Sequence, residues 1–364
     1  MRETIHALKL NKKQVKYKFF DRRKSLYSKE LFEEIGKQID FLCDVSIKPS
    51  ESLFLYKNGV GLSTNDLCGD RPFKRDNINL YHYNNEINLE VCGEWGDTIL
   101  YEVPLLAIIN ECKARVGEEW DIIQNESVYR LNEKIKRFRH PSVPRINFCE
   151  FGTRRRSSGE FQRYVVEELK NVHNFVGSSN VMFCKDYRLK PIGTMAHEYL
   201  QAFQRISENL IDFQYDALRN WADINANSVA LSDIVGDGAF VYDFFKRGLY
   251  KYYSGVRHDS GSPFDWAELM IQQMNLVNKD LKLVFSDSLD FKKCIELENQ
   301  INGRAETLYA IGTFLTHDCV IPKPNTVIKM IEFDGGPVAK ISNEPGKSIG
   351  DSKFVSKLKN TFNI

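Results

Sequence analysis

The 364-residue chain is 42% apolar and 27% charged, with 50 basic and 49 acidic side chains and a net charge of +1. That length supports a large core divided over two domains, since single cores stop growing at roughly 250–300 residues. The even balance excludes a global field for nucleic acid or an anionic membrane, leaving local basic pockets and small-molecule partners.

Residues 1–103 are expected to form an N-terminal α+β sandwich domain. KELFEEIGKQIDFL (29–42) has helical spacing, whereas NINLYHYNNEINLEVCGEW (77–95) and TILYEV (98–103) alternate apolar and polar residues as half-buried antiparallel strands do. Pro104 then opens the helical stretch LLAIINECKARVG, at a position where the first turn tolerates proline. The charged stretch 119–140 reads as a helix that PSVP (141–144) ends.

From Arg145 onward strands and helices alternate regularly. Seven apolar runs end near Glu150, Val176, Gly193, Asp233, Arg257, Ser286 and Ile311, and most are followed by a helical pattern. Ser262, Pro263 and Asp265 mark one helix start, and Ser157 or Ser158 marks another. Repeated β-α units imply a parallel sheet, so the fold expected is α/β, with an irregular β/α barrel over 104–324. The pattern supplies seven units; an eighth is only supposed. After Pro324, TVIKMIEF, a turn at Gly335 and Gly336, and PVAKIS form a hairpin ahead of a basic tail, and this 325–364 segment is able to return to the first domain. The cysteines Cys43, Cys68, Cys92, Cys112, Cys149, Cys184, Cys294 and Cys319 show no metal-ligand spacing. No apolar run is long enough to cross a bilayer, and the opening residues lack a secretory signal's apolar centre. Reduced thiols and a cytoplasmic location are therefore expected.

Reactive side chains cluster just after the carboxyl ends of the apolar runs, where a barrel builds its substrate site. Arg154, Arg155, Arg156, Ser178, Ser179, Thr194 and His197 suit anionic oxygens and are awkward for a dry core. In Phe151–Gly152–Thr153–Arg154, glycine-flanked N–H groups and guanidinium forks form a receptacle for phosphate. Phe151 is either core or a plate for a planar ring. Gly312 and Thr313 read as a phosphate loop after a late strand. Arg257 is able to pair with a carboxylate and Asp259 to bind a sugar diol. Asp287 is a ligand of the same kind or a helix N-cap. His197 is a catalyst or a capping, hydrogen-bonded residue.

The ordered motifs FGTRRR (151–156), FVGSSN (175–180), GTMAHE (193–198), SGVRHDSG (254–261), VFSDSLD (284–290), IGTFLTHD (311–318) and GPVAKIS (336–342) resemble the nicotinate phosphoribosyltransferase family from about Val91 to the end. The resemblance implies a type II phosphoribosyltransferase with an α/β sandwich domain, an irregular barrel and active sites shared in a homodimer. It implies that nicotinate and 5-phosphoribosyl-1-pyrophosphate give nicotinate mononucleotide and pyrophosphate in NAD biosynthesis, with Mg²⁺ on the pyrophosphate and coupled ATP hydrolysis. On the same basis His197 matches the histidine that ATP phosphorylates, and Phe151 stacks on the pyridine. Arg154 and Arg257 serve the donor and the carboxylate, Asp259 and Asp287 the ribose, and Gly312 with Thr313 the 5-phosphate. Ser178 and Thr194 join the substrate-binding set, and no metal ligand is assigned. Tyr17–Lys18 does not reproduce the family's opening Asp-x-Asp-x-Tyr-Lys pattern, whose tyrosine reaches a neighbouring subunit's pyridine site, and Ala310 stands where glycine is more usual. A nicotinamide phosphoribosyltransferase and a non-catalytic ligand-binding homologue are the alternatives.

Overall fold

A computed structural model describes residues 1–59, 71–116, 120–141, 143–341 and 348–364. Cys68, residue 119, Ser142 and Ser342, named above, lie outside these. Strand β1 (Gln14–Asp21) alternates so that Val15, Tyr17 and Phe19 are buried. Strands β2 (Ile78–Tyr83) and β3 (Glu86–Glu94) form a hairpin across Asn84–Asn85, both with positive φ, as a two-residue type I′ connection requires. The helix Lys29–Asp44, capped by Ser28, buries Leu31, Ile35 and Ile39 at four-residue spacing. Each such side chain contributes about 1.5–3 kcal/mol.

TILYEV is not a strand. Thr98 closes a one-turn helix, and Glu102 begins the helix Glu102–Arg115 with Pro104 in its first turn. Six alternating residues are outweighed by the run that follows, in which Leu105, Leu106 and Ile109 are buried on the helix.

The second sheet is parallel and holds β4 (Phe148–Glu150), β5 (Phe175–Ser178), β6 (Lys190–Pro191), β7 (Val229–Leu231), β8 (Gly255–His258), β9 (Lys282–Phe285) and β10 (Thr307–Ile311). Their order is β6-β5-β4-β10-β9-β8-β7, a curled half-barrel in which β6 and β7 do not pair. No eighth parallel strand occurs among the described residues. Instead the helix His197–Ile206, which follows β6, docks on the other sheet. Gln201 Nε2 donates to the Met330 carbonyl, and Gln204 exchanges hydrogen bonds with the Ala339 backbone.

The chain then returns. Strand β11 (Thr326–Phe333) pairs antiparallel with β1, and β12 (Gly336–Pro337) completes a five-stranded sheet of order β12-β11-β1-β3-β2. The turn uses Asp334 and Gly335, both at positive φ, one residue earlier than the Gly-Gly pair. The basic tail is a helix, Ser352–Phe362, capped by Asp351. No helix among the described residues is long and apolar enough to cross a membrane.

Candidate active site

The loops after β4, β6, β8, β9 and β10 face one cleft that β1 and β11 close from the other side. It has an inner lobe of about 270 Å³ and an outer lobe of about 470 Å³. Phe151, Arg154, His197, Arg257, Asp259 and Lys329 line both, so the two lobes form one space. Thr194 lines the inner lobe, and Asp287, Gly312 and Thr313 line the outer one.

Two loops are laced together at its floor. Phe151 N donates to the Ile311 carbonyl at 2.8 Å, Ser157 N to the Thr316 carbonyl at 2.9 Å, and Thr316 Oγ1 to the Gly152 carbonyl at 3.3 Å. A Cβ on Gly152 would lie 2.1 Å from Thr316 Oγ1, so only glycine permits this approach. The lacing sets Phe151 and Arg154 relative to Gly312 and Thr313.

Ser178 is not in the cleft wall. It is fully buried, its Oγ donating to the Glu150 carboxylate and accepting from Asn180 N. Glu150, also fully buried, further accepts from Gly152 N and Gln162 Nε2, and burial pushes its pKa up. Ser179 is the serine that faces the inner lobe, with its Oγ 2.9 Å from Thr153 Oγ1. In an extended strand neighbouring side chains point to opposite faces, and the buried Glu150 captures the first of the pair.

Arg257 is committed to protein partners. Its Nε donates to Ser286 Oγ at 2.8 Å, and one terminal nitrogen reaches Thr194 Oγ1 and the Met195 carbonyl. The other lies 2.9 Å from Asp259 Oδ1. It therefore ties the loops after β6, β8 and β9 together. Burial opposes ionisation of Asp259, but Arg257 outweighs it and holds the carboxyl well below its usual range. Arg154 is less engaged; its guanidinium pairs with Glu102 at 2.8 Å.

His197 is buried at the first position of its helix, where no side chain caps the turn. Its Nε2 lies 2.8 Å from Asp233 Oδ1, 2.8 Å from Lys340 Nζ and 3.6 Å from Asp259 Oδ2. Burial lowers its pKa to about 4, with Asp233 opposing and Lys340 reinforcing the shift. The imidazole is thus neutral at pH 7. For Asp233 burial acts upward, but His197 and Lys340 keep its carboxyl well below the ordinary value. His197, Asp233 and Asp259 could together face a metal ion. However, the Lys340 ammonium already sits 2.7 Å from Asp233 Oδ2 and compensates this charge. Asp287 lines the outer lobe, where its Oδ1 accepts from Ser288 Oγ at 3.1 Å. The helix cap beside it is supplied by Asp290, not Asp287.

The outer lobe is built for an anion. Arg22, Arg23, Arg154, Arg155, Arg257, Lys323, Lys329 and Lys340 line it against Asp259, Asp287 and Asp290. Burial, then the like charges of Arg154 and Arg22, push Arg155 down to about 10. A bound polyanion relieves that crowding. In the inner lobe Tyr17 donates to Glu198 Oε2, and burial, reinforced by Glu102, raises Glu198 to about 7. Asp233, Lys329, Lys340, Glu102 and Glu198 were not singled out as ligands or catalysts by sequence. Asp233 stood at a predicted strand end, and the two lysines at polar positions of the predicted hairpin.

Residues 1–110 match the model of the nicotinate phosphoribosyltransferase N-terminal domain, and residues 146–364 match that of the nicotinate phosphoribosyltransferase family. A nicotinate phosphoribosyltransferase of Xanthomonas campestris pv. campestris is 38% identical over 375 aligned positions, covering 96% of this chain and 90% of its own. That of Proteus mirabilis is 36% identical, with 90% and 84% covered. The crystal structure of nicotinate phosphoribosyltransferase from Vibrio cholerae superposes with a TM-score of 0.88 at 30% identity, over all of this chain and 91% of that one. The Porphyromonas gingivalis structure, at 23% identity and the same TM-score, shares the fold over all of this chain and 96% of that one.

Proposed function

Because the chain belongs to the nicotinate phosphoribosyltransferase family and is an enzyme of that kind, we propose that its cleft joins nicotinate to 5-phosphoribosyl-1-pyrophosphate with coupled ATP hydrolysis. The observation that carries this reading is the convergence of Phe151, Arg154, His197, Asp259 and Thr313 on the outer lobe. The pyridine ring packs against Phe151 in the inner lobe, with Arg154 and Lys329 near its carboxylate. The phosphoribosyl group lies in the outer lobe, its 5-phosphate on Gly312 and Thr313. Asp259 and Asp287 face the ribose, where they stabilise the positive charge that develops as the C1–pyrophosphate bond breaks and the ring nitrogen bonds to C1. Mg²⁺, when bound, neutralises charge on the departing pyrophosphate.

In the ATP-coupled step a neutral His197 is the competent form. With its proton on Nε2 and directed at Asp233, the lone pair on Nδ1 attacks the terminal phosphorus of ATP, and the bond to ADP breaks. The new dianion adds acceptor oxygens to the cation-lined cleft and so favours the ordered, substrate-binding arrangement. The cations of the inner lobe favour a carboxylate over a carboxamide, which argues against nicotinamide as the preferred base. A shared homodimeric site and a cytoplasmic location complete the proposal; the free thiols of the seven described cysteines agree with the latter.

The test is product formation. Protein supplied with nicotinate, 5-phosphoribosyl-1-pyrophosphate, Mg²⁺ and ATP should release nicotinate mononucleotide, faster than nicotinamide is converted, and His197→Ala should abolish the dependence on ATP. No mononucleotide with either base would defeat the proposal.

A further inference from the structure

Behind the Gly312–Thr313 turn stands a cation that takes no part in lining the cleft. Lys134, on the helix Trp120–Phe138, is 8% exposed, and its Nζ donates to the Phe314 carbonyl. The same nitrogen lies 2.6 Å from Asp318 Oδ2 and 3.9 Å from the centre of the Phe314 ring. Phe314 itself lines the outer lobe, and Phe291 holds its ring edge-to-face at 5.3 Å. Asp318 also takes Arg130 at 3.3 Å and Lys323 at 3.7 Å, and Lys323 is another wall residue of that lobe.

The carbonyl of Phe314 belongs to the one-turn helix Thr313–Thr316, too short to satisfy its own last carbonyls. An ammonium supplies the missing donor. Burying that ammonium is costly without a counter-charge, and Asp318 provides one. Burial still lowers Lys134 to about 8, with Asp318 opposing and Lys323 and Arg130 adding to the shift. A methionine would fill the same volume without this cost, so packing alone does not account for a lysine here.

We propose that Lys134 is a positioning residue for phosphate recognition: through the Phe314 carbonyl and Asp318 it fixes the Gly312–Thr313 turn and Lys323 in the arrangement that receives the donor's 5-phosphate. This rests on the function proposed above. Lys134 touches no substrate; its effect reaches the ligand through the loop it holds. The consequence is selective, because among the described residues its contacts run to Phe314 and Asp318 and not to the inner lobe or the His197–Asp233–Lys340 group.

The experiment compares wild type, Lys134→Met and Lys134→Arg by calorimetry with ribose 5-phosphate and with pyrophosphate, alongside steady-state kinetics. Lys134→Met should weaken ribose 5-phosphate binding and raise KM for the phosphoribosyl donor by about tenfold, with kcat and the KM for nicotinate within about twofold. Lys134→Arg, which keeps the charge, should recover most of the loss. Should Lys134→Met not fold, Asp318→Asn carries the same test. Unchanged ribose 5-phosphate affinity in a folded variant, or an equal loss for nicotinate, overturns the inference. Failure of the wild-type protein itself to bind ribose 5-phosphate or make product would instead overturn the function on which it rests.

Discussion

Lys340 places its Nζ 2.8 Å from Nε2 of His197, a residue 143 positions earlier in the chain. The same ammonium lies 2.7 Å from Asp233 Oδ2, and its charge helps to keep the ring uncharged.

Replacing Lys340 with methionine removes a cation from beside His197 while both acids remain. The imidazole should then titrate above its present value of about 4, by at least about one unit. Its nitrogen resonances, followed over pH, measure this directly. Phosphoryl transfer from ATP to His197 should acquire an acid limb, because the protonated ring has no lone pair to offer. An unmoved His197 titration in this variant would show that Lys340 does not control the charge of the site.

Gly152→Ala tests the lacing of the two loops. The backbone at Gly152 has φ −105°, which alanine accepts, so the penalty is steric and comes from Thr316. Overpacking of this kind costs about 1–3 kcal/mol, and the loops should also separate, raising KM for the phosphoribosyl donor. Thr316→Ala removes the two closest atoms and should restore part of both losses in the double variant. Additive losses in denaturant midpoint and KM would mean that the two residues do not clash.

His317 offers a probe of acid sensitivity outside the cleft. Both ring nitrogens are buried, and burial lowers the pKa to about 4, with the backbone of Arg156 and Arg155 opposing the shift. The unfolded chain binds this proton near pH 6.5, whereas the folded protein resists it until near pH 4. The contribution is therefore complete above about pH 6.5 and is lost as pH falls, by at most about 3 kcal/mol. His197 shifts in the same direction, so His317→Leu should flatten only part of the acid limb in urea denaturation between those values. An acid limb of unchanged steepness would remove His317 as a cause.

The parallel sheet was legible because most of its strands are apolar runs that stop at a polar turn, the two-residue β6, Lys190–Pro191, being the exception. The loops that line the cleft follow from that ordering. What the pattern missed were contacts made across the chain. Asp233 and Lys340, 107 positions apart, meet only after β11 has joined β1, and no local period marks them as partners. The choice between Ser178 and Ser179 failed for a different reason: both suit a turn, and only the buried Glu150 decides which one turns inward. The misread strand at TILYEV shows that a short alternation loses to a longer buried helix on its carboxyl side. The family likeness, carried by motifs from about Val91 onward, extends through the first domain to residue 1.

The place of β11 between β12 and β1 bears on how the protein is born. During synthesis the half-barrel can collapse while β1 still has one bare edge, and Lys329 and Lys340 have not left the ribosome. A chain truncated before Thr326 would thus carry all seven strands of the half-barrel, an unprotected β1 edge open to stray pairing, and His197 without its cation.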